Sequence, residues 1–445
     1  MRNPKLLFIW FIAFLLLGCI SQQTTVQSLT PTFQTPTALQ TLSSFDTPTA
    51  SPTETSLPVP TAIATTPFSI DRLRIVLVKD GNLYIQNGTK APVQLTYSGT
   101  DHDPVISIEG NKVAFYRGEG FGAVYSINAD GSQEQIIIES QSLPILGQGE
   151  IHSLTFQRDT HKLYFNTYLC ESSPYLYVYP SCTIGIYSVD ADTGELAEIR
   201  AGLSGYAGQN RNFELSPNGN FLSIATSGHI DLYYASGDIF YQDAIIYRRT
   251  VPNEFIPTQY WLPDSSALIA ILPISGVNEV TGPPSIFSAS RFQLEGNVSA
   301  QIPLEPLIMW NSGCSFSMSP DRNWVFYNSD ATDRFRLYLG DLTDGTSRAY
   351  DLEWGPNCPM PNTHLWSPDS KYFAFSQVLG SIDGTLVPFS GQFLGWIDDN
   401  HYFFETITET TRKINVGEVG KENIALIEGF QLTPAFVLLK SETDQ

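Results

Sequence analysis

Five cysteines are the most reactive side chains in this sequence: Cys19, Cys170, Cys182, Cys314 and Cys358. The last four form an even set, and even sets in exported chains form disulfides. From number alone three pairings are open. A zinc site of four thiolates is the rival chemistry, but the CxxC spacing of such sites is missing. Other reactive constellations are weak. "GLSGY" (202–206) misses the spacing of a nucleophile elbow, and no HExxH or P-loop is present. Asp101, His102 and Asp103 are adjacent, so their side chains cannot all face one ion; they read as a turn that starts a strand. "DADTGE" (190–195) matches only the first half of a calcium loop and fits a hairpin turn better. The six histidines are scattered. No catalytic residue, metal or cofactor is expected. A net charge of −21 repels phosphate backbones, which argues against nucleic acid as a partner.

The elements that would position side chains come from a repeat. Seven stretches share one plan, apolar residues, a turn, then apolar residues: 105–116, 154–165, 213–224, 260–271, 316–327, 364–375 and 394–405. Three carry Ser-Pro-Asp or Ser-Pro-Asn in the middle: "FELSPNGNFLSI", "FSMSPDRNWVFY" and "HLWSPDSKYFAF". Pro presets φ for the turn, and Asp, Asn or Gly supports its second half. Their centres at 108, 158, 217, 263, 320, 368 and 397 are mostly 46 to 59 residues apart, which suits four-stranded propeller blades. The exception is the last gap of 29 residues, so the blade before it should lack a strand or two. A plainer hairpin follows in most units, as in "IYSVDADTGELAEI". With strands named A to D, the first turn joins A to B and the second joins C to D. Residues 74–96 read as B, C and D with no A before them, and 434–440 read as a lone A. Pairing the two closes a ring without an open edge. The expected fold is an all-β propeller of seven or eight four-stranded blades over 69–445, with eight preferred.

These repeats resemble TolB-type, WD-like β-propellers. That resemblance implies a fold, and in many members an interaction platform. "DTH" (159–161) and "IDD" (397–399) depart from the Ser-Pro-Asp pattern. The N-terminus carries a second resemblance. Arg2 and Lys5 precede an apolar run from Leu6 to Leu17, then Gly18-Cys19. "LLGC" is similar to a bacterial lipobox, which implies a signal peptide over 1–18, a lipidated Cys19, and an exported protein anchored at the outer face of the cell membrane. Residues 20–68 hold 14 Thr and 7 Pro and cannot bury enough apolar surface to offset chain entropy. Residues 19–68 therefore read as a lipidated cysteine and a flexible stalk.

The connections sort by face. A–B and C–D turns are tight. D–A and B–C loops are long, over 139–151, 167–184, 200–212, 272–286, 304–314 and 353–363, and long irregular loops tend to carry binding. Cys170 and Cys182 bracket one B–C loop, while Cys314 and Cys358 lie near successive D–A loops. The expected disulfides are 170–182 and 314–358. Tyr175, Tyr177 and Tyr179 alternate inside the bracketed loop, and Arg211 and Trp310 precede A strands. These five are the binding-face candidates, of the residue types enriched in interface hot spots. The expected function is non-catalytic binding of an envelope protein, peptide or glycan by a monomer. Two alternatives stand beside it: a glycan-cleaving propeller with channel carboxylates, and an accessory subunit of a membrane transport or secretion complex.

Overall fold

A computed structural model describes residues 68–118, 123–139, 150–170, 181–206, 213–226, 228–247, 257–275, 285–301, 307–309, 317–328, 336–353, 365–375, 377–407, 412–421, 424–428 and 435–439. All belong to the unit Ala64–Gln445. Among the described residues, no helix is long and apolar enough to cross a membrane.

The strands form eight antiparallel blades in a ring. The first uses both ends of the unit: Ala435–Leu438 is its A strand, and Leu73–Lys79, Asn82–Asn87 and Val93–Gln94 are B, C and D. Leu73 faces Leu438 and Val76 faces Ala435 across the closing pair. The second, third and fourth blades begin at Asp101–Ile106, Glu150–Phe156 and Phe213–Leu215. The fifth and sixth begin at Thr258–Trp261 and Ser317–Met318. A short strand, Leu307–Met309, pairs with strand C of the fifth and strand B of the sixth and stitches the two into one sheet. The seventh blade has three strands, Tyr372–Phe375, Val378–Ser381 and Leu386–Pro388, and its A strand shrinks to one bridge between Trp366 and Phe373. That is the shortened blade expected from the 29-residue gap. The eighth begins at Gln392–Trp396.

Because side chains alternate across a strand, each blade is apolar on both faces. Ile75 joins Phe403 and Val416 of the eighth blade, whereas Val76 joins Val113 and Phe115 of the second. Ala374 faces Trp396 and Tyr402 of the eighth blade, whereas Phe373 and Phe375 face Phe326 and Leu337 of the sixth. The core is thus eight thin layers, one at each seam. Each fully buried Leu, Ile or Phe contributes about 1.5–3 kcal/mol. Continuous burial on both faces is why period-2 alternation is faint in segments such as "SKYFAF".

The Ser-Pro-Asp stretches are the A–B turns. In the sixth blade Arg322 N donates to Ser319 O (3.0 Å), and Ser319 N donates to Trp324 O (2.9 Å). The fourth turn residue has positive φ: Gly219 at 71°, Ser265 at 62°, Arg322 at 63° and Ser370 at 64°. This bulge leaves one amide facing inward, and the buried serine hydroxyl receives it. Ser319 Oγ accepts from Trp324 N (3.0 Å) and donates to Asp321 Oδ1 (2.5 Å), which also accepts from Asn323 N (3.0 Å). Ser216 with Asn218, and Ser367 with Asp369, repeat the arrangement. Neighbouring turns are also joined. Asn218 N donates to Ser265 Oγ (3.1 Å), Asp321 N to Ser370 Oγ (2.9 Å), and Gln157 Nε2 to Gly219 O (2.7 Å). The two departing stretches are A–B turns as well: Gln157 N donates to Lys162 O (2.8 Å) and Ile397 N to His401 O (2.8 Å).

Candidate functional site

On the long-loop face, the third blade stands out. Its strands Lys162–Cys170, Ser181–Asp190 and Leu196–Tyr206 run 9, 10 and 11 residues. Pairing of B with C continues two residues past the last A-strand partner, from Glu150↔Tyr168 to Cys170↔Cys182. The expected loops over 167–184 and 200–212 are therefore shorter than the sequence suggested. "NTYLC" and "SCTIGI" are rich in β-branched and aromatic residues and stay in register as strand. Cys170 and Cys182 form a disulfide at the head of this stem, with Cα atoms 3.9 Å apart. Tyr168 and Ile184 pack beneath it with Leu203. His152 meets the Tyr168 ring edge-on at 5.2 Å, and burial pushes the Tyr168 hydroxyl up to about 12. Tyr175, Tyr177, Tyr179, Arg211, Trp310, Cys314, Cys358 and Cys19 lie outside the described residues.

The opposite, tight-turn face carries a cleft of about 530 Å³ across the first three blades, lined by Arg74, Asn87, Asn111, Asn128, Asp130 and His161 among others. Arg74 begins strand B of the closing blade. Its Nε donates to Asn87 Oδ1 (2.6 Å) and its Nη1 to Gly110 O (2.7 Å). Gly110 has φ +73°, and a Cβ there would lie 2.6 Å from Leu439 Cδ2, so the carbonyl is held where only glycine fits. No carboxylate pairs with Arg74 among the described residues, and burial lowers its affinity for the proton. The other wall is a charge network. The buried Lys112 places Nζ 2.6 Å from both Asn128 Oδ1 and Asp192 Oδ1. His161 Nδ1 lies 2.6 Å from Asp192 Oδ2, and its Nε2 lies 3.0 Å from Asn111 Oδ1. Burial raises the Asp192 carboxyl, but hydrogen bonds from Lys112 and His161 outweigh it and leave it below the usual range.

Asp101, His102 and Asp103 do not all converge: His102 Nδ1 lies 2.9 Å from Asp103 Oδ2, but Asp101 turns elsewhere. Asp101 is buried against Arg117 (2.6 Å), which also reaches Glu134 (2.6 Å), while Asp103 is exposed at φ +44°. "DADTGE" is a C–D turn in which Asp190 Oδ1 accepts from Asp192 N (2.9 Å) and Thr193 N (2.8 Å). Among the described residues, the set that could supply ligands to a cation is His229, Asp231 and Asp243 in the fourth blade, with ligand atoms within 4.8 Å of one another. His229 Nε2 lies 2.9 Å from Thr226 Oγ1 and 3.5 Å from Asp231, and Asp231 Oδ1 accepts from Asp243 N (2.8 Å).

Sequence reasoning did not single out Arg74, Asn87, Asn111 or Asn128 as a group, because separate blades contribute them. One signal was available: Asn87, Asn111 and Asn128 each border a turn on the face assigned to scaffold.

No protein-family model matches the chain, and no curated protein matches its sequence. Solved structures do resemble it. Oligogalacturonate lyase from Vibrio parahaemolyticus is 14% identical over 76% of this chain and 84% of that one, at a TM-score of 0.44. TolB from Acinetobacter baumannii is 13% identical over 82% and 81%, at 0.34. The propeller domain of the Trilobed protease from Pyrococcus furiosus is 14% identical over 75% and 97%, at 0.40. Structures similar to this chain thus include TolB-like propellers, and at these identities the likeness extends to the fold alone.

Proposed function

We propose that the protein is an exported, lipid-anchored binding module. Its propeller holds an envelope protein, peptide or glycan on the long-loop face without transforming it. The observation that carries this reading is the stem of the third blade. Three long paired strands, clasped at the head by Cys170–Cys182, form a rigid base for the ten residues from Glu171 to Pro180. A pre-organised base reduces the entropy lost by the stem on binding, and tyrosine supplies contact area with a polar tip. Arg211 and Trp310 belong to the same face in this reading.

The test uses the full chain in detergent micelles, immobilised and exposed to solubilised envelope and cell-wall fragments of its host. A partner retained by the wild type and lost from Tyr175→Ser/Tyr177→Ser/Tyr179→Ser and from Arg211→Ala/Trp310→Ala supports the reading. Retention that is indifferent to both variants refutes the assignment of the face. Chemical turnover of a captured glycan refutes the non-catalytic role.

A further inference from the structure

The geometry points to a second binding site, independent of the long-loop face: the tight-turn cleft takes a small hydroxylated anion. Three amide oxygens around it are already occupied. Asn87 Oδ1 accepts from Arg74 Nε, Asn128 Oδ1 from Lys112 Nζ, and Asn111 Oδ1 from Ser107 Oγ (2.9 Å). Arginine and lysine only donate, so these bonds fix which way the Asn87 and Asn128 amides point. Asn128 Nδ2 is used by Ser132 and Gln133. The Nδ2 of Asn87 and the Nη2 of Arg74 have no partner among the described residues, and both residues line the cleft. The cleft therefore gathers unspent donors, one of them charged and without a counter-ion.

The remaining wall sets the rest of the ligand. Asp130 Oδ1 accepts from Ser132 N (2.9 Å) and Ser132 Oγ (2.6 Å), and its carboxyl stays below the ordinary range through those bonds, at the exposed rim. Its second oxygen accepts a hydroxyl but repels a second anionic group. The site thus favours one anionic group against Arg74 and Asn87, with hydroxyls extending toward Asp130. A volume of about 530 Å³ lies within the ~300–1,000 Å³ range of small-molecule sites. A sugar carboxylate and a polyol phosphate share this chemistry.

The decisive variant is Asn87→Asp. It is isosteric, and it places a carboxylate 2.6 Å from Arg74 Nε, where the amide oxygen now sits. The full chain in micelles is titrated calorimetrically with glucuronate, glycerol 3-phosphate, glucose and sulfate, and its thermal midpoint is recorded with each. The expected result is one-to-one binding of glucuronate or glycerol 3-phosphate, at least tenfold tighter than glucose or sulfate, with a raised midpoint. Whichever of the two binds more tightly identifies the source of the anion. Asn87→Asp should lose at least tenfold in affinity while its own midpoint holds or rises. Asn111→Asp, at an exposed position, should lose affinity in the same way and covers the case in which Asn87→Asp misfolds. Failure of both anions to bind overturns the proposal. So does sulfate binding as tightly as they do, or unchanged affinity in the folded variants. Envelope capture through the tyrosine segment would be unaffected by any of these results.

Discussion

Ser319→Ala isolates what the Ser-Pro-Asp motif does. The hydroxyl is fully buried and makes two bonds, accepting from Trp324 N at 3.0 Å and donating to Asp321 at 2.5 Å. Removing it leaves the Trp324 amide without that acceptor, and the site is closed to water. An orphaned buried donor costs about 1–3 kcal/mol. Asp321 loses less, because its carboxylate keeps Asn323 N (3.0 Å) and Asn323 Nδ2 (3.1 Å). The expected loss is about 2 kcal/mol. Pro320→Ala in the same turn removes only the restriction on the unfolded chain, about 0.4–1 kcal/mol. Urea unfolding followed by tryptophan fluorescence gives the comparison, read as a change in midpoint at constant slope. Hydrogen exchange over 317–328 should show the Trp324 amide among the first to lose protection. A Ser319→Ala effect no larger than that of Pro320→Ala would refute the reasoning: the motif would then act through backbone preference alone.

Two further outcomes follow from the third blade. Cys170→Ser/Cys182→Ser releases a loop of 12-residue separation, worth at most about 3 kcal/mol of chain entropy, and less because the strands already hold their register. Exchange should rise at the ends of Lys162–Cys170 and Ser181–Asp190 while the seam layers stay protected; an unchanged exchange map and midpoint would contradict this. Alkaline titration probes the same blade. Burial pushes the hydroxyls of Tyr164 and Tyr168 up to about 12. Their neutral forms stabilise the fold fully below pH ~10, and that contribution is lost as pH rises through about 12. Phenolate absorbance should show a late step that vanishes on unfolding, and titration of every tyrosine near pH ~10 would count against it.

The ring was legible in the sequence for a local reason. The Ser-Pro-Asp type of A–B turn combines a residue that fixes φ, one held at positive φ, and a buried acceptor for the bulged amide. Ser319-Pro320-Asp321-Arg322 writes these requirements within four positions. The closure was legible too, because residues 74–96 read as B, C and D and 434–440 as a lone A, and the two ends do pair, Leu73 with Leu438. The stem of the third blade was read too short, since its extra pairs depend on a partner strand and a disulfide across the hairpin. The cleft was not legible. Arg74 and Gly110 are 36 positions apart, and His161 reaches Asn111 across 50. Only the packing of consecutive blades brings these residues together, and asparagines at turns look the same in sequence whether or not their amide oxygens are already taken.

The closing pair also dictates an order of events in the making of the protein. Among the described strands Leu73–Lys79 is the first synthesised, and its partner Ala435–Leu438 is the last. At about 5–20 residues per second, the gap between Lys79 and Ala435 takes roughly 20–70 s to fill. Throughout that time the first blade presents an unpaired edge and one side of a hydrophobic seam, a template for pairing with other nascent chains. Closure also works as a test of completion. A chain that stops anywhere before Ala435 keeps its edge open and its Leu73, Ile75 and Leu77 layer without Phe436 and Leu438. Truncated products of this protein should therefore be recognisable to proteases and chaperones by that edge, whichever blade they end in.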